Sequence, residues 1–270
     1  MRAPLLLSLL FVLLLVSPVS AGGAAASPTF DHKYAGWDGV LRRHVDGGGL
    51  VDYTAVGSDA ALDTFIAALG AVSPDDVGAW GRTQQIAFYI NAYNALTLKT
   101  IVAAGAIKSI RDIKPDPWEN SRWTVAGRVV SLNWIEHTKL RGHLAEPRVH
   151  FVLVCAAIGC PRLPNRAIVA EGVDEQLDAL TKAFCADPAK NRVDIAGGKV
   201  HLSRILDWYG DDFVGWKGTP KEPALTEHSP KEAAAVRLLS RSVGDAERAF
   251  LARGVFTVVF NEYDWALNRR

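Results

Sequence analysis

Residues 82–104, RTQQIAFYINAYNALTLKTIVAA, put apolar side chains on almost every face of the helix they predict. Ile86, Phe88, Tyr89, Ile90, Tyr93, Leu96, Leu98, Ile101 and Val102 leave no polar stripe, so the helix has to be enclosed by other elements. Gly105 stops it. Asn91 and Asn94 sit inside the run. Both are poor helix formers, and a buried amide requires hydrogen-bond partners.

The remainder of the chain is consistent with a folded enclosure. It has 270 residues, 49% hydrophobic and 22% charged, which excludes a disordered chain, a coiled coil and a small disulfide scaffold. Thirty Lys and Arg stand against 29 Asp and Glu. Such neutrality argues against nucleic acid and anionic membrane surfaces as general partners. Arg2, the apolar run from Leu5 to Val16, and Val19-Ser20-Ala21 read as a signal peptide over residues 1–21. That run is too short to span a bilayer comfortably, and no later stretch approaches eighteen apolar residues. A soluble exported protein is expected, periplasmic or extracellular, with no stable membrane insertion after cleavage. Residues 22–30 read as a flexible linker and 31–270 as a single globular domain.

Local patterns predict an α+β fold, a small central sheet surrounded by helices. Residues 31–70 read as helical, broken by Gly47-Gly48-Gly49. Residues 107–124 read as an ordered surface loop, followed by a hairpin turning at Gly127. Asn133-Trp134-Ile135-Glu136 has the spacing of a capping box. Residues 148–155, RVHFVLVC, form a nearly continuous apolar run, read as a strand buried on both faces. Beyond it come an amphipathic helix over 171–186, a hairpin over 193–202 and a helix capped by Ser203. A Pro-rich loop follows over 214–231, then helices over 231–239 and 245–253 and a strand over 255–260.

Six stretches together resemble one family: AFYINAYNALTLKTIV (87–102), SIRDI (109–113), SLNWIEHTKLR (131–141), EPRVHFVLVCAAIGCP (146–161), LSRILDWYGDDF (202–213) and YDWALN (263–268). In this order they resemble the family known as domain of unknown function 547, which has exported bacterial members. The resemblance implies no reaction. Tyr89 stands where Trp is found in members, and Ala156-Ala157-Ile158 where Gly and Ser or Lys are frequent.

The candidate chemistry centres on Cys160 and His150. A thiol nucleophile needs a base to lower its pKa and a third group to orient that base. Cys160 is the candidate nucleophile and His150 the base, with Asn91 or Glu136 as orienter and N–H groups after Pro161 as an oxyanion hole. Glu136 is also accounted for by capping its own helix. Asn94 either locks the loop that holds Cys160 or binds substrate. Trp208 and Tyr209, in an acidic-aromatic cluster with Asp207, Asp211 and Asp212, are candidates to line a sugar or peptide cleft. Cys155 and Cys185 read as packing residues. Three cysteines leave at least one free in a monomer, and Cys160 has either Cys155 or Cys185 as a possible partner. Ligand spacings for zinc or haem are missing, so no metal and no cofactor are expected. Two functions fit: a cysteine-dependent hydrolase or acyl transferase acting on peptide, amide or cell-wall material, and a non-catalytic binding or scaffold module. The ligand is in either case an unidentified small molecule or peptide. The intact mass of the exported protein should match a chain beginning at Gly22; a mass that retains residues 1–21 would refute the cleavage site.

Overall fold

The computed structural model describes residues 30–270. The signal peptide expected over residues 1–21, and the linker up to residue 29, lie outside the described residues. Phe30 already packs edge-on against Phe88 and beside Trp80.

The architecture is α+β, with a helix rather than a sheet at its centre. Helices α1 (Ala35–His44), α2 (Tyr53–Gly57), α3 (Ala60–Ala71) and α4 (Pro74–Ala79) lead into α5 (Arg82–Ala104). The bounds of α5 are those the sequence predicts, and Gly105 ends it at φ +74°. Residues 86–98 of α5 are all buried. Strands β1 (Trp123–Val125) and β2 (Arg128–Val130) form the predicted hairpin, with Ala126 and Gly127 both at positive φ. Helix α6 (Val173–Ala186) is followed by β3 (Arg192–Asp194), β4 (Lys199–Leu202), α7 (Arg204–Trp208), α8 (Pro230–Ser240), α9 (Asp245–Ala252) and β5 (Thr257–Phe260). β3 pairs antiparallel with β4, and β5 adds to β4 in parallel. Among the described residues no helix is long and apolar enough to cross a membrane.

Three expectations are corrected. The two sheets are small and separate, and each of their strands carries exposed or half-buried residues, whereas α5 is the enclosed element. Residues 148–155 are buried as predicted, with Cys155 only partly so, but they are not a strand. Pro147–Phe151 is a 3-10 turn, opened by Glu146 capping the Arg148 N–H and by Pro147 in its first position. Continuous burial reads the same from either backbone, so hydrophobicity could not separate them. The predicted Asn133 cap is also absent. Trp134–His143 is π-helical, the N–H of Trp134 is taken by Ser131 Oγ, and the Asn133 amide donates instead to Glu119.

What replaces a central sheet is a pair of side-chain amides. Asn94 Nδ2 donates to the Val152 carbonyl at 3.0 Å, while its Oδ1 accepts from the Val154 N–H at 3.0 Å. Asn91 treats Ile168 in the same way, donating to its carbonyl at 2.7 Å and accepting from its N–H at 3.1 Å. The Trp37 indole also donates to Asn91 Oδ1. Each amide thus supplies the donor and acceptor that a neighbouring strand would otherwise present to an extended segment.

The core has two parts. One gathers α1–α5, the first hairpin, the π-helical segment, most of residues 149–168 and the start of α6; the other gathers the end of α6, α7–α9, β3 and β4. Phe151 belongs to the second and Val152 to the first, so the seam passes between adjacent residues. Asn94→Ala would strand the buried carbonyl of Val152 and the buried N–H of Val154. At about 1–3 kcal/mol for each orphaned group, a loss of about 2–6 kcal/mol is expected from urea unfolding. A loss under about 1 kcal/mol would show that the amide does not hold the segment.

Candidate active site

A cavity of about 380 Å³ opens at the seam. Its wall takes Tyr93 from α5, Glu136 and His137 from the π-helical segment, and His150 from the 3-10 turn. Leu153, Cys155, Cys160 and Pro161 follow on the next stretch, then Trp208 and Tyr209 at the end of α7. Trp118, Tyr263 and Trp265 complete it from loop and tail.

The cysteine loop is shaped by the C-terminal tail. Ala156 starts it at φ +61°, in the left-handed region that glycine adopts more easily. Ile158 and Gly159 then donate to the carbonyls of Ala266 and Asp264, and Asn268 donates back to Ala156. This pairing lays the Tyr263 ring across the loop. A Cβ at Gly159 would meet that ring at 2.7 Å, so glycine is required there.

Tyr263 reaches both sulfurs. Its hydroxyl donates to Cys160 Sγ at 3.0 Å and stands 3.2 Å from Cys155 Sγ. The Cys155 N–H also donates to Cys160 Sγ, at 3.0 Å. Burial opposes ionisation of Cys160, yet hydrogen bonds from the Cys155 thiol, Tyr263 and backbone N–H groups outweigh it and bring the thiol below its ordinary value. Cys155 moves the other way, chiefly because its thiol is engaged by Cys160 and then because it is buried. Of the two, Cys160 is the more readily ionised. Burial keeps Tyr263 protonated, and therefore a donor. Cys185 lies in the second core cluster, away from both, and all three cysteines are free thiols.

His150 occupies the same cavity but makes no hydrogen bond to either thiol. Its Nε2 is 2.7 Å from Asp212 Oδ2 and its ring stacks on Tyr209 at 4.0 Å. Arg141 grips Asp212 with two hydrogen bonds of 2.6 and 2.8 Å and bonds His137 Nδ1 through its third nitrogen. Burial is the largest influence on His150 and lowers its pKa against the pull of Asp212, leaving the imidazole neutral near pH 7. Burial also works against the Asp212 carboxylate, but His150 and Arg141 hold its pKa far below the usual range.

The structure therefore brings together Cys160, His150, Glu136, Trp208 and Tyr209. It does not bring in Asn91 or Asn94, whose amides are spent on backbone. The group that orients His150 is Asp212. In the sequence Asp212 stands out only as part of an acidic-aromatic cluster, and Tyr263 only as part of the YDWALN stretch. The WYGDDF and YDWALN stretches were the available signals for both.

Both shifted groups set the same direction of pH dependence. Unfolded chains bind a proton on His150 below about pH 6.5, and on Asp212 below about pH 4, that the folded protein resists. Their stabilisation is complete above about pH 6.5 and is lost in two stages as pH falls. Urea unfolding across pH 8 to 3 should show both stages, the lower one reduced in Asp212→Asn; a profile flat from pH 8 to 5 would contradict the His150 environment.

Residues 77–185 match the family described as "Protein of unknown function, DUF547". The matched stretch holds α5, the π-helical segment and all three cysteines, whereas Asp212 and Tyr263 lie beyond it. No curated protein and no solved structure matches the chain. The likeness to the DUF547 family rests on residues 77–185, which supply both asparagines, Glu136, His150 and Cys160.

Proposed function

We propose that the protein is an exported cysteine-dependent hydrolase or acyl transferase acting on peptide, amide or cell-wall material. Cys160 is its nucleophile and His150 its proton carrier. The observation that carries this reading is the Cys160 sulfur, held at the wall of a cavity by a tyrosine hydroxyl and a backbone N–H that favour its thiolate.

In this reading the proton of Cys160 passes to His150 across the cavity, and the thiolate attacks the acyl carbon. His150 returns the proton to the departing amine or alcohol, leaving a thioester on Cys160. Water or an acceptor amine then attacks the thioester, giving its proton to His150, and Cys160 leaves as thiolate and is reprotonated. Asp212 fixes the imidazole by its Nε2, which leaves Nδ1 as the working nitrogen.

The alternative is a non-catalytic binding module. It is favoured by the low exposure of Cys160, 3%, and by the engagement of its sulfur with Tyr263 and Cys155. Iodoacetamide labelling between pH 5 and 9, mapped by mass spectrometry, separates the two. A thiolate site labels Cys160 in the folded, unreduced protein well below pH 8, and Tyr263→Phe moves the labelling curve to higher pH. Cys160→Ser should abolish turnover of amide or ester substrates while leaving the melting temperature near that of the parent. Labelling only on unfolding would leave the binding module as the reading.

A further inference from the structure

Glu136 is the least compensated charge in the cavity. It is 7% exposed, and among the described residues no Lys or Arg forms an ion pair with it. Arg141 is the cation whose charge reaches it, but that guanidinium is committed to Asp212 on two sides. Tyr209 lines the same cavity, and a neutral phenol does not balance the charge of the carboxylate. A buried carboxylate without a counter-charge is costly unless something cationic arrives.

The remaining wall offers what such a cation needs. The lining residues include no Lys and no Arg, while Asp116 adds a second carboxylate at the rim. Trp118, Trp208 and Trp265 form a chain of rings, with centroids 6.1 Å apart for Trp118–Trp265 and 5.9 Å for Trp208–Trp265. Rings of this kind attract ammonium groups through their faces. Trp265 already holds one cation, Arg111, 5.1 Å from its ring centroid. Trp208 is 45% exposed, so a ring face is open to solvent.

We infer that the cavity receives an alkylammonium group, seated between Glu136 and the tryptophan rings. This deepens the function proposed above by naming its substrate class: an amide or ester whose acyl or leaving part carries a primary amine. It rests on that proposal only in making the cation part of a substrate, because binding itself requires no chemistry at Cys160.

The test is titration with phenethylammonium and with neutral 2-phenylethanol, followed by tryptophan fluorescence at pH 7. Phenethylammonium should bind and 2-phenylethanol should bind about tenfold more weakly or not at all. Glu136→Gln should cost phenethylammonium about tenfold in affinity. Trp208→Ala, at an exposed position, should cost it about threefold with an unchanged melting temperature, and serves if Glu136→Gln fails to fold. Equal binding of amine and alcohol, binding of neither, or full affinity in the folded variants would overturn the inference. Cys160→Ser should keep phenethylammonium binding, so a failure of turnover bears on the thiol alone.

Discussion

Two primary amides, three residues apart on one buried helix, hold the fold together where a sheet would be expected. Asn91 and Asn94 each pair with an extended segment through one donor and one acceptor, and those segments lead to the elements that carry the site. Asn94 fixes residues 152–154, which lie between His150 and Cys155. Asn91 fixes Ile168 and, through Trp37, reaches α1. A helix apolar on all faces can accept such residues because every polar atom of the two side chains is used. The arrangement also explains why residues 148–155 need no strand neighbours: the backbone groups in question are satisfied by side chains.

The cavity lies where the two core clusters meet, and the C-terminal tail closes that seam. Tyr263 packs against both clusters, and the tail pairs with the cysteine loop through residues more than a hundred positions away in sequence. Gly159 allows the ring to approach and Ala156 turns the loop toward it. The two thiols then differ although only five residues separate them. Cys160 collects donors from Tyr263 and from the Cys155 N–H, whereas the Cys155 thiol is itself spent on Cys160. A hydroxyl placed between two sulfurs thus helps make one thiol easier to ionise than the other.

Charge in the site is divided with the same economy. Arg141 and Asp212 neutralise one another, burial keeps the imidazole of His150 uncharged, and Asp212 and Tyr209 hold the ring in place. Glu136 lies outside that network. The π-helical backbone that presents it also presents His137, and wide helical turns of this kind recur at functional sites.

Sequence alone determined the elements whose signals are local. Periodicity and glycine set α5 to the residue, positive-φ positions set the hairpin at Gly127, and Ser203 set the start of α7. The need for partners at Asn91 and Asn94 was legible from their burial, and Cys160, His150, Glu136, Trp208 and Tyr209 were legible as reactive or aromatic side chains. The identity of the partners was not. Hydrophobic burial is indifferent to backbone conformation, so a 3-10 turn with an extended tail was indistinguishable from a strand, and Glu136 in a π-helical turn from an ordinary cap. Only the tertiary structure decided that the asparagines serve backbone rather than substrate, that Asp212 orients His150, and that Tyr263 polarises the cysteine pair. Each of those contacts joins residues some sixty to a hundred positions apart, and their energy depends on distance and desolvation that no local pattern encodes.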